Sequence, residues 1–242
     1  MSTAISRDLQ NYKTENFLKP YLKSGLNVYT KQRKQAMSSA AFGNKTATST
    51  IDFFDGWLTN MTLRIELEAL WQAGDCDAKT GSGYLNWVDS IGHALIEYIE
   101  LKIGNKTIYN ASFPYGLWLD IHNELNDPNM KEWSLIGKNA SVDALKIYEE
   151  NKKVLYVPLH LWFSKNLESA LPYFKLSQNK LISNKIKLNV KIRNLNELIL
   201  STGNTGDNPA TANNRTISID IIYDTIEAVH SHESKNELKK IK

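Results

Sequence analysis

Apolar side chains recur at every second position in several stretches of this chain, and those stretches predict strands. Met61, Leu63, Ile65, Leu67 and Ala69 alternate with Thr62, Arg64, Glu66 and Glu68, the period of a strand with one buried and one wet face. Burying Met61, Leu63, Ile65 and Leu67 stabilises by roughly 1.5–3 kcal/mol each before the entropy of ordering is charged. Ile99, Leu101 and Ile103 alternate with Glu100 and Lys102. Gly104-Asn105 then supplies two residues that tolerate positive φ, so Lys106 to Tyr109 is expected to return antiparallel. Ile186, Leu188, Val190 and Ile192 alternate with Lys187, Asn189, Lys191 and Arg193, and Ile217, Ile219, Ile221 and Tyr223 form the last run.

Helical spacing is confined to the connections. Phe113-Pro-Tyr-Gly116 breaks the sheet pattern, and Leu117, Trp118, Ile121 and Leu125 recur at the spacing of a short amphipathic helix. The segment opened by Asp127-Pro128 predicts one or two short helices, Met130 to Ile136 and Val142 to Tyr148. Asn166 to Ala170 predicts a helical turn that Pro172 stops. Val154 to Phe163 is nearly continuously apolar, which predicts burial on both faces, and Pro158, unable to donate to a ladder, marks an edge or a bulge. Residues 1–45 read as an arm or edge segment that gains order from its neighbours, 46–226 as the strand-rich domain, and 227–242 as a charged tail or linker. Many strands with helices only in the loops indicate an all-β sandwich.

Composition adds boundaries to this picture. At 242 residues with six tryptophans the chain can bury a sizeable core. No stretch reaches the eighteen or so apolar residues of a membrane helix, and Met1 to Leu22 does not read as a signal peptide. The single cysteine, Cys76, excludes an internal disulfide and fits a reducing compartment. A net charge of +3, spread along the chain, argues against a dedicated nucleic-acid surface.

Several of these stretches, taken together, resemble the major capsid proteins of the nucleocytoplasmic large DNA viruses. They are Trp87-Val88 with Ile91-Gly-His-Ala-Leu-Ile-Glu-Tyr-Ile-Glu-Leu-Lys-Ile-Gly104, then Gly116-x-Trp118-Leu119 and Asn123-Glu-Leu125. Leu155-Tyr-Val-Pro-Leu159, Trp162-Phe163, Ala170-Leu-Pro172 and Ile186-x-Leu-Asn-Val190 follow in the expected order. On this resemblance Trp87, Gly92, His93, Glu97, Gly104, Trp118, Asn123, Glu124, Pro158, Trp162 and Pro172 are family-motif structural residues. The resemblance implies an eight-stranded antiparallel jelly-roll sandwich with short helices in the inter-strand loops. Family members carry two such units in tandem and build trimeric, pseudo-hexagonal capsomers of an icosahedral shell; the match here covers the first unit. A truncated or split product, or a shorter paralogue, would each have this length. The implied partners are further copies and other capsid proteins, with contact to an inner viral membrane through minor proteins. The implied location is the virion, with assembly in the host cytoplasm.

Candidate chemistry is sparse. His230-Ser-His232 followed by Glu233 faintly resembles a cupin metal triad, but it sits in a polar tail without that motif's glycines. His93 reads as a packed or hydrogen-bonded histidine. His122 and Glu124, two apart on a helix, do not share a face. Cys76 lacks a neighbouring basic group to form a thiolate. No phosphate loop, nucleophile elbow or HExxH run occurs, so neither catalytic group, cofactor nor metal is expected. Sequons begin at Asn44, Asn60, Asn105, Asn110, Asn139 and Asn214; Asn139 and Asn214, in loops, are the best candidates should sugar be attached. Of the tryptophans Trp71, Trp87, Trp118, Trp133 and Trp162, any could anchor a subunit contact. Core packing is the favoured reading for Trp87 and Trp162, and Trp133 is the candidate interface residue. A carbohydrate-binding jelly-roll module for host attachment is the alternative function.

Overall fold

The computed structural model describes residues 28–43, 45–52, 54, 56–70, 84–111, 113–126, 133–138, 145, 149–164, 169–172, 185–202 and 215–228. The long strands are β1 (Val28–Ala36), β2 (Thr46–Thr50), β3 (Gly56–Leu67), β5 (Ile96–Ile103), β6 (Lys106–Asn110), β7 (Lys153–Pro158), β9 (Ile186–Ile192) and β11 (Ile217–Ala228). Shorter pieces are β4 (Tyr84–Trp87), β8 (Leu171–Pro172) and β10 (Ile199–Thr202), with helices α1 (Ile91–Ala94), α2 (Tyr115–Asn126) and α3 (Trp133–Ile136). One sheet has the order β1-β11-β3-β7, with β8 pairing the start of β3; the second has the order β2-β9-β5-β6. Every pairing is antiparallel. Successive long strands alternate between the sheets except at the β5–β6 hairpin. That connectivity is the eight-stranded jelly roll.

The inner faces follow the period-two pattern. Leu63 and Ile65 on β3 lie in register with Ile221 and Ile219 on β11, and Ile99 and Leu101 on β5 with Val190 and Leu188 on β9. All eight are buried and belong to one apolar core. The β5–β6 turn uses positive φ only at Gly104 (φ 58°) among its two central residues, the pattern of a type II′ turn, in which glycine comes first.

Two long strands carry no apolar alternation in sequence. β1, Val28–Ala36, is a polar edge strand held along its whole length by β11. β2 fills its inward positions with Ala47 and Ser49, both buried, so its small side chains leave no hydrophobic period to read.

The expectation that Val154 to Phe163 is buried on both faces is corrected. β7 lies at the edge of its sheet, and only Leu155 and Val157 point inward; Val154 is 45% exposed. An edge strand has one core face even where its sequence is apolar throughout. Trp162 is likewise 37% exposed, so its core reading fails: a 3-10 turn over Trp162–Ser164 sends Phe163 inward and leaves Trp162 outside.

Antiparallel alternation sends four connections, β1–β2, β3–β5, β6–β7 and β9–β11, to the same end of the sandwich. Their contacts bear this out. β4 pairs with β10, Val88 N donates to Leu198 O at 3.0 Å, Glu149 N donates to Leu85 O at 2.9 Å, and Phe42 stacks on Trp87 at 6.1 Å. The three helices among the described residues belong to connections at this end.

Candidate interaction surface

The surface is built on a buried histidine paired with a half-buried aspartate. His93, in α1 and 1% exposed, places Nδ1 3.0 Å from Asp120 Oδ1 on α2. The imidazole hydrogen bond holds the Asp120 carboxyl below the usual carboxylate range despite partial burial. Close backbone approach completes the docking. A Cβ on Gly116 would lie 1.8 Å from His93 O, and one on Gly92 would lie 2.9 Å from Val157 Cγ2 and 3.0 Å from Ile136 O. Only glycine lets α2, α1 and α3 meet this tightly.

With one side of α2 held by Tyr115 and Leu119, both buried, helical geometry turns another side to solvent. Leu117 is 56% exposed, Ile121 49% and Leu125 79%, an i, i+4, i+8 stripe. Phe113, just before the helix, is also exposed, and so is Leu135 on α3. Lys138, after α3, pairs with Glu124 and lies 4.9 Å over the half-buried Trp133 ring.

Beside this stripe lies an aromatic cluster. Trp118 packs against Tyr115 (5.6 Å between ring centroids) and His122 (4.9 Å), and His122 against His160 (5.0 Å). His160 Nε2 is 3.2 Å from Asn123 Oδ1. Trp118, His122 and His160, together with Tyr109, Leu161, Trp162 and Ser164, line a surface pocket of about 290 Å³. Burial, and then the neighbouring imidazoles of His122 and His93, push the His160 imidazole below its ordinary value.

The remaining motif residues are dispersed along the framework. Trp87 is buried beside Phe42, and Glu97 sits at a bulge in the β5–β9 pairing, where Lys191 Nζ reaches its Oε1 at 2.9 Å. Pro158 ends β7 opposite Thr62, and Pro172 pairs with Trp57. The geometry thus gathers His93, Trp118, Asn123 and Glu124 on and beside α2, with Trp133 next to them, while Trp162, which follows β7, reaches the pocket lined by Trp118. Asn139, Asn214, Cys76, Trp71, His230 and His232 lie outside the described residues. Sequence reading missed Asp120 and His160, whose partners are 27 and 37 residues away. It took Leu117, Ile121 and Leu125 as part of an amphipathic helix without showing which of them stay uncovered. Among the described residues no group of three or more His, Cys, Asp or Glu side chains could hold a metal ion, and no helix is long and apolar enough to cross a membrane.

The described residues thus define a two-sheet jelly-roll protein with helices in the loops at one end and an exposed apolar patch on α2. Residues 19–232 match the family described as major capsid protein N-terminus, and the chain belongs to that family. It is 27% identical over 175 residues to capsid protein 1 of Acanthamoeba polyphaga mimivirus, covering 66% of this chain and 28% of the relative. It is 27% identical over 145 residues to the major capsid protein of Phaeocystis pouchetii virus, covering 50% of this chain and 26% of that protein. Among solved structures it resembles a chain of the PBCV-1 virus capsid, with a TM-score of 0.62 and 17% identity over 88% of this chain and 45% of the other. The chain spans a little over a quarter of the length of each of these two curated relatives.

Proposed function

We propose that this chain is a structural subunit of the capsid of a large DNA virus, working by shape and lateral contact, with no catalytic turnover. The observation that carries the reading is the exposed stripe Leu117, Ile121 and Leu125 on a helix whose opposite side is locked to the sandwich. Apolar area uncovered on a well-packed unit is the usual mark of a protein contact, and in a capsid many modest interfaces add up over a closed lattice. Family membership supports the same reading. The named relatives are capsid proteins, which does not favour the carbohydrate-binding alternative.

On this reading the partners are further copies and other capsid proteins in a trimeric or pseudo-hexagonal capsomer, and minor proteins mediate any contact with an inner membrane. The jelly-roll domain takes residues 46–226 together with the edge strand β1 (Val28–Ala36) from the 1–45 segment and the end of β11 at Ala228, and the charged residues that follow serve as a linker. The protein resides in the virion after assembly in host cytoplasm.

Light scattering of the purified chain, alone and with co-expressed capsid proteins, tests the proposal. Self-association or capsomer formation is expected, and Leu117→Ser/Ile121→Ser/Leu125→Ser should abolish it with an unchanged melting temperature. A monomer at every concentration, even with the other capsid components, would overturn it.

A further inference from the structure

Among the described residues β1 stands at the end of its sheet, with β11 on one side and no strand beyond it. Met37 N donates to Ile219 O at 2.8 Å, and the unbroken β1–β11 register steps back from that pair. The odd-numbered residues Tyr29, Lys31, Arg33 and Gln35 therefore exchange hydrogen bonds with β11. Thr30, Gln32 and Lys34 turn their N–H and C=O groups the other way, off the sheet, and all three are exposed. Just past β1 the same side of the chain already takes a strand. Ser38 exchanges both backbone hydrogen bonds with Thr48 of β2, at 2.8 and 3.0 Å, and the Gln35 amide donates to Thr50 O, where β2 ends. We infer that the open edge from Thr30 to Lys34 accepts an extended, acid-bearing segment of a partner polypeptide, which adds to β1 as a further strand.

A regular edge of nine residues with no proline and no register break is a template for another strand. Its charge selects which one. Lys31, Arg33 and Lys34 are the charged residues of β1, with no acid among them. Arg33 is held by Glu227. Lys34 shares the Asp220 carboxylate with Arg64, and Lys31 is exposed with no carboxylate paired to it among the described residues. Two cations are thus short of counter-charge. Three positions apart on a strand, they lie on opposite faces of the sheet, and an added strand with two acids at the same spacing meets both.

A second copy of β1 does not fit this edge. The open groups belong to even-numbered residues, so two copies pair even against even. Every antiparallel pairing centred on Lys31, Gln32, Arg33 or Lys34 then sets cations directly opposite each other, which is destabilising. The edge shares no residue with the α2 stripe, so failure of one surface leaves the other standing.

Hydrogen exchange by NMR on the full chain tests this, with the peptide acetyl-Thr-Thr-Glu-Thr-Thr-Glu-Thr-Thr-amide as probe and its lysine-for-glutamate counterpart as control. In the free chain the amides of Lys31, Arg33 and Gln35 should be protected, and those of Thr30, Gln32 and Lys34 should exchange freely. Acidic peptide at millimolar concentration should slow the latter three about tenfold, and salt at about 0.5 M should remove most of that effect. The lysine peptide should leave them unchanged. Gln32→Pro deletes one outward N–H and spares the β11 ladder, so the melting temperature should hold while the peptide effect disappears. Lys31→Glu should weaken the peptide about tenfold. Outward amides already protected in the free chain, whether by its own residues or by a second copy, would overturn the inference. So would equal protection by both peptides, or an undiminished peptide effect in Gln32→Pro.

Discussion

Arg33 Nη2 lies 2.6 Å from Glu227 Oε1, tying the first described strand to the end of the last. Thr225 Oγ1 also donates to Oε1 at 2.8 Å, and the Tyr29 hydroxyl donates to Oε2 at 3.0 Å. Burial alone would raise the Glu227 carboxyl; the Arg33, Thr225 and Tyr29 donors outweigh it and hold it below the usual carboxylate range. The pair therefore stabilises the fold above the unfolded-state value near 4.5, and that contribution is lost as pH falls through the lowered one. Arg33→Ala is expected to cost about 1–3 kcal/mol, because it strips a buried carboxylate of its charged donor. Urea denaturation at pH 7 and pH 3 checks this, with the deficit shrinking at the lower pH.

Gly116→Ala should be far more damaging than its single methyl group suggests. The added carbon would sit 1.8 Å from His93 O and 2.7 Å from Ile96 O, both backbone atoms that cannot turn aside. A loss of about 3 kcal/mol is expected, read as a lower melting temperature together with loss of hydrogen-exchange protection across α2.

Gly104→Ala probes the hairpin at the opposite end of the sandwich. An alanine forced to φ 58° costs about 1–2 kcal/mol. Because this turn lies away from the helices, α2 protection should be unchanged while β6 amides exchange faster.

Leu63→Ala, in the centre of the core, should destabilise by about 2–5 kcal/mol, whereas Val154→Ala, on the outer face of β7, should fall within about 0.5 kcal/mol of the original. The contrast in denaturation midpoints tests the one-sided burial of β7, since Leu63 is 0% and Val154 45% exposed.

The strands with a core face were legible wherever an apolar side chain was needed at every second position, as in Met61 to Leu67, Ile99 to Ile103, Ile186 to Ile192 and Ile217 to Tyr223. β1 and β2 were not, because β1 is a polar edge and β2 packs alanine and serine inward. Of the interaction surface, the α2 period and the motif residues His93, Trp118 and Asn123 stood out from the chain, yet their partners Asp120 and His160 carry no local signal. A side chain recruited by a loop from another connection looks like any polar residue until the ends of the sandwich are formed.

What the sequence determined alone is the alternation of inward and outward side chains, the type of each long buried strand, the β5–β6 turn and the helical spacing of α2. These depend on a residue and its near neighbours. Tertiary structure decided which apolar residues stay uncovered: Leu117, Ile121, Leu125, Val154 and Trp162 are as hydrophobic as the core, but the strands and helices that reach them leave one side open. Burial is a property of what packs against a side chain, and that is set by how strands and connections assemble around the two sheets.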